Sequence, residues 1–130
     1  MSQFDLASLD SAAKAEDGAE LEVLHPISGE KLGIAIRLAG TDSAVHRKAT
    51  TAIASRRTKG GFRRNINLDD LQAESIEILA RCTLSWSGVV LDGKDVPPSK
   101  EAAAALYTRF PWLREQVETF ISDRANYLQD

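Results

Sequence analysis

"WSGVVLDGKDVPPSKEAA", residues 86–103, decides how the second half of the chain is read. It lies between two stretches of helical texture, yet it holds a tryptophan, a Val-Val-Leu run, an Asp-Gly and a Pro-Pro. Trp86, Val89, Val90 and Leu91 are too apolar for an idle linker, and Asp92-Gly93 is a turn signal. Val96 returns before Pro97-Pro98 stops the run. A compact loop is expected here, folding its apolar side chains back over a helical core. Trp86 is its expected anchor, with the indole N–H satisfied at the rim.

Helices flank this loop. Upstream, Asn67 caps a helix expected over about 67–85, with Leu68, Leu71, Ile78, Leu79 and Cys82 on one face. Asp69 and Asp70 suit the positive end of its dipole. Downstream, Ser99 caps a helix over 99–109 that turns Ala103, Leu106, Tyr107 and Phe110 inward. Pro111 then opens a last helix, 111–128, at a position where its missing N–H costs nothing. Leu113, Val117, Phe120, Ile121 and Leu128 give that helix the cleanest 3.6-residue stripe in the chain.

The first half has a different texture. Leu21 and Val23 alternate with Glu20 and Glu22, and Leu32, Ile34, Ile36 and Leu38 alternate with Gly33, Ala35 and Arg37. Alternation on both sides of Pro26-Ile27-Ser28-Gly29 predicts a β-hairpin over 20–39. A lone two-stranded ribbon is marginal in water, so one apolar face has to pack on helices or meet another chain. Thr41, Asp42 or Ser43 then caps a helix over about 42–59, whose stripe of Val45, Ala49, Ala52 and Ile53 is thin. Residues 1–19, rich in Ala, Ser and Asp, read as a flexible arm. The fold class expected is therefore mainly α: about four helices with an N-terminal β-hairpin, a small α+β single domain over 20–130.

The totals bound the function. The chain has 130 residues, a net charge of −3 and a single cysteine. No global field favours nucleic acid or an anionic membrane, and no disulfide framework is possible within the chain. There is no run of apolar residues long enough to span a bilayer, and the N-terminus MSQFDLASLD carries acids where a signal peptide carries bases. His25 and His46 lie in different elements without a Cys, Ser or carboxylate at a motif spacing, and Cys82 sits on an apolar helix face. Asp69, Asp70, Glu74 and Glu77 spread around the first turns of a helix, as dipole complement and solvated surface rather than a metal site. No enzyme, cofactor or metal is expected.

The sharpest local feature is basic. Arg47, Lys48, Arg56, Arg57, Lys59, Arg63 and Arg64 occupy one stretch without an acid. "RRTKGGFRR", residues 56–64, adds a Gly-Gly hinge and Phe62, which can stack on a base. Against a nucleic-acid role stand the acidic remainder of the chain and the lack of a recognition fold. A charged loop that docks on an acidic protein suits the same residues.

The order of parts carries a resemblance. "FDLASLD" precedes "HPISGEKLG", "GTDS" opens a helix, and "LARCTLSWSGVVLDGKDVPPSKEAAAALYTRFPWLREQVETFISDRANYL" follows over residues 79–128. This layout resembles the tail assembly chaperones of bacteriophages with long, non-contractile tails, and it covers nearly the whole chain. The resemblance implies a non-enzymatic protein that binds the helix-rich tape measure protein and keeps it soluble until the tail tube polymerises around it. It further implies self-association and a longer form made by ribosomal frameshifting, which recruits the tail tube protein. The chain would be the short form, working in the host bacterial cytoplasm and absent from the mature virion. Arg56, Arg57, Lys59, Phe62, Arg63 and Arg64 are the candidate partner-binding residues, and Leu32, Ile34 and Ile36 the candidate self-association residues. The alternative is a small nucleic-acid-binding protein acting through the basic loop 56–64.

Overall fold

A computed structural model describes residues 3–59 and 67–128. Its elements run α1 (Ser11–Asp17), β1 (Ala19–Leu24), β2 (Lys31–Leu38), α2 (Ala44–Lys59), α3 (Leu68–Cys82), β3 (Thr83–Ser87), β4 (Val90–Leu91), β5 (Lys94–Asp95), α4 (Lys100–Arg109) and α5 (Pro111–Ser122). Single 3-10 turns at Leu6–Leu9 and Arg124–Asn126 flank them.

The expected mainly α fold of about four helices with an N-terminal hairpin is corrected. The described residues form five α-helices, 56% helical in all, together with two small antiparallel sheets. The hairpin is two-thirds of a sheet ordered β1-β2-β3. Its third strand comes from residues 83–87, which the helical pattern had claimed up to 85. The physical reason is that β2 in the hairpin has a second edge of unpaired N–H and C=O groups. The chain leaving α3 supplies partners for it, pairing Ala35 with Ser87, Ile36 with Trp86 and Arg37 with Ser85. Thr83 ends α3 by donating its hydroxyl to the Leu79 carbonyl at 2.9 Å.

The added helix, α1, lies in the stretch read as an arm. Asp10 caps it with its side chain, and Ala15 is buried, accepting a hydrogen bond from the Gly40 N–H at 3.0 Å. Glu16 in turn accepts from the Ala44 N–H at the start of α2. Ser43 completes that cap, taking the His46 N–H at 3.1 Å and donating to the Gly40 carbonyl at 2.7 Å.

The core lies between the inner face of the three-stranded sheet and helices α3, α4 and α5. Val23, Ile36, Leu38 and Trp86 project from the sheet onto Leu79, Cys82, Leu106, Tyr107 and Val117. The Tyr107 hydroxyl, otherwise stranded in this apolar setting, lies 2.7 Å from Thr83 Oγ1. The face of α3 differs from the expected one: Ile76, Leu79, Ala80 and Cys82 are buried, while Leu68 is 82% exposed and Leu71 is exposed as well. Helix α2 packs on α3 with Ala49 and Ile53 buried, as its thin stripe suggests. The last helix stops at Ser122, short of the expected 128, and turns into the 3-10 segment that buries Tyr127.

The segment that opened the sequence reading closes this core. Trp86 is buried on β3, and its indole N–H donates to the Val96 carbonyl at 2.7 Å. Val89 and Val96 meet through a backbone hydrogen bond of 3.0 Å, and between them β4 and β5 form a two-residue hairpin. Asp92 and Gly93 have φ of 53° and 81°, the pair of positive values that a type I′ turn requires. Gly88 is demanded by closeness: a side-chain carbon there would overlap the carbonyl oxygen of Gly33, and its own φ is +78°. Gly33 belongs to an irregular stretch of β2, where Glu22 pairs with Ala35 but Leu24 already pairs with Lys31.

Candidate protein-docking surface

The sequence-derived candidates separate into three groups. Arg56 and Arg57 occupy the last turn of α2, and both are engaged across the helix pair. Arg56 reaches Glu77 at 2.7 Å, and Arg57 forks onto Glu74, with Nε to Oε2 at 3.1 Å. Arg81 adds a 3.0 Å ion pair to the other oxygen of Glu77, without hydrogen-bond alignment. Lys59 is exposed at the end of α2. Phe62, Arg63 and Arg64 lie outside the described residues. Two of the six candidate partner-binding residues are thus holding α2 to α3, and that part of the basic stretch is half of a charge-matched helix pair.

The self-association candidates fare differently from one another. Ile36 is 1% exposed and points into the core from a strand hydrogen-bonded on both sides, so it is corrected from an interface residue to a core residue. Ile34 packs against that core in part, and Leu32 is partly exposed in the irregular stretch of β2.

A surface that was not singled out in the sequence is more open. Between the 25–30 turn and α5 runs a cleft of about 620 Å³ whose apolar lining includes Leu21, Leu24, Ile27, Trp112 and Phe120. Ile27, at the tip of the turn, is 91% exposed. The turn is built locally: His25 Nδ1 accepts the N–H groups of Ile27 and Ser28 at 3.1 and 3.2 Å, and the His25 N–H donates to the Glu30 carbonyl at 2.8 Å. That arrangement fixes the backbone while leaving the Ile27 side chain in water. The only signal for it in the sequence is a large apolar residue inside a Pro-x-x-Gly turn, where polar residues are usual.

The floor of the cleft is tied to the sheet by one side chain. Gln116, on α5, accepts the Leu24 N–H at 3.0 Å and donates to the Leu24 carbonyl at 2.8 Å. Its amide therefore does what a peptide group of a neighbouring strand would do at the outer edge of β1. Carboxylates dominate the charged lining of the cleft. Glu22, Glu115 and Asp123 line it, Glu118 lines the adjoining opening, and among the described residues neither lining contains a lysine or arginine. Lys31 approaches from the side, 3.0 Å from Glu22, with both side chains largely exposed.

Just past the end of α5, charges lock rather than invite. Arg124 places Nε and Nη2 at 2.7 and 2.8 Å from the two carboxylate oxygens of Asp42. These hydrogen bonds, with a smaller one from Ser11, hold the Asp42 carboxyl down at about 2. Burial lowers the His46 pKa against the opposing pull of Asp42. Burial pushes the Cys82 thiol up to about 11, where it remains an unreactive packing group at neutral pH. Among the described residues no group of His, Cys, Asp and Glu could hold a metal ion, and no helix is long and apolar enough to cross a membrane. Comparison with protein-family models, curated proteins and solved structures yields no match.

Proposed function

We propose that the chain is a non-enzymatic tail assembly chaperone of the kind used by long, non-contractile-tailed bacteriophages. It holds the tape measure protein soluble in the host cytoplasm while the tail tube polymerises, and it stays out of the finished virion. The observation that carries this reading is the cleft between the hairpin turn and α5, with Ile27 standing free at its rim. A small domain that leaves a large aliphatic side chain in water beside a half-open aromatic floor is suited to holding another protein's apolar face. The layout of residues 79–128 supports the same reading through its resemblance to that family. Self-association and a longer frameshifted form that recruits the tube protein belong to the proposal.

The nucleic-acid alternative loses support from the same geometry. Arg56 and Arg57, the start of the basic loop, are already neutralised by Glu77 and Glu74, and phosphate would have to compete with those carboxylates. The test is co-expression with the tape measure protein encoded nearby. The client is expected to be soluble only with this chain present and to elute with it. A client that is equally soluble alone, and never co-purifies, rejects the chaperone reading.

A further inference from the structure

We infer that the cleft between the 25–30 turn and α5 takes one amphipathic helix of a partner protein, with aliphatic side chains on its buried face and lysines or arginines along its flanks. This deepens the chaperone reading and rests on it only for the identity of the client.

Three features select that occupant. The first is the lining, apolar at the base and capped by Ile27, which matches a row of aliphatic side chains rather than a polar ligand. The second is Gln116. A partner strand added to β1 needs main-chain N–H and C=O groups at the sheet edge, and those of Leu24 are both taken by the Gln116 amide. A helix satisfies its own backbone and asks the cleft only for side-chain contact. The third is charge. Glu115, Glu118 and Asp123 face the two adjoining openings, Glu22 being already paired with Lys31, and among the described residues neither lining holds a lysine or arginine, so the flanks of the occupant are positive. A second copy of this chain carries a net charge of −3, and Arg56 and Arg57 of its basic stretch are already engaged by Glu77 and Glu74, while a nucleic-acid backbone brings the same sign as the cleft.

The experiment uses the full chain and two synthetic helical peptides of about 18 residues, roughly five turns. They share one leucine face and differ only in carrying lysines or glutamates on the flanks. Fluorescence anisotropy is expected to show binding of the lysine peptide, weakened by added salt. Ile27→Asp, at an exposed turn position, is expected to weaken it about tenfold or more by removing one buried aliphatic contact. Glu115→Lys with Glu118→Lys is expected to transfer the preference to the glutamate peptide, an outcome that a merely destabilised protein cannot produce. Equal binding of both peptides, no effect of Ile27→Asp, or no peptide binding alongside a dimer that Ile27→Asp dissolves each overturns the inference. Co-purification of the client with wild type and Ile27→Asp separates the two levels. A client held equally by both chains sinks the cleft inference and leaves the chaperone reading standing. A lysine peptide that binds while the client is indifferent does the reverse.

Discussion

The α2–α3 pair and the hairpin–α5 cleft are held together by opposite means. In the first, a thin stripe of Ala49 and Ile53 is supplemented by Arg56 and Arg57 on Glu77 and Glu74. In the second, apolar surface is in surplus, so much that Leu24, Ile27 and part of the Trp112 floor remain accessible. In the region that advertises itself in the sequence as a binding site, Arg56 and Arg57 are spent internally, while the region that reads as an ordinary hairpin and helix is open. Charge density along a chain therefore says little about availability until the opposing charges are located. Glu74 and Glu77 sit 17 and 21 residues from their arginines.

If apolar burial carries the fold and charge only trims it, the sharpest test is at Trp86. Trp86→Ala removes a buried ring and the bond to Val96, and it is expected to cost about 3–5 kcal/mol in a denaturant titration. The Asp42–Arg124 pair is the intermediate case, since it is bidentate and joins the start of α2 to the segment after α5. The folded pKa of Asp42, about 2, lies below the ordinary 3.8. Its contribution is therefore present above pH 4 and is lost as pH falls toward 2. Asp42→Asn is expected to lower the melting temperature at neutral pH and to flatten that part of the acid limb. The smallest effect is expected from Arg56→Ala with Arg57→Ala. These pairs lie at the surface with their glutamates half-covered, so the melting temperature should shift by a few degrees at most at low salt and by less at high salt. A shift as large as that of Trp86→Ala would mean that charge, not burial, holds α2 in place.

Sequence periodicity located the strands of the hairpin and the cores of four helices, because each carries its own repeat. It failed where one repeat imitates another. Leu79, Cys82 and Trp86 fall at helical spacing, so α3 was extended across β3, and only the open edge of β2 makes residues 83–87 a strand. Helix α1 was missed because small residues hold it, Ala15 packing under Gly40 and bonded to it, and such contacts leave no hydrophobic pattern. The Asn67 cap is legible from residue type alone, whereas at the start of α2 residue type leaves Thr41, Asp42 and Ser43 open and Ser43 accepts the His46 N–H. Of the candidate site, the basic residues were visible but their partners were not. The cleft was invisible because it forms between Leu24 and Gln116, residues 92 apart.

That separation also has a meaning in time. During synthesis, at about 5–20 residues per second, β1 is complete roughly 5–20 s before the ribosome reaches Gln116. Until then the outer edge of the first strand has no plug and can recruit any extended segment nearby. Folding of this chain is thus safest when neighbours on the same message are sparse, and a Gln116→Ala chain carries its newborn vulnerability into adulthood.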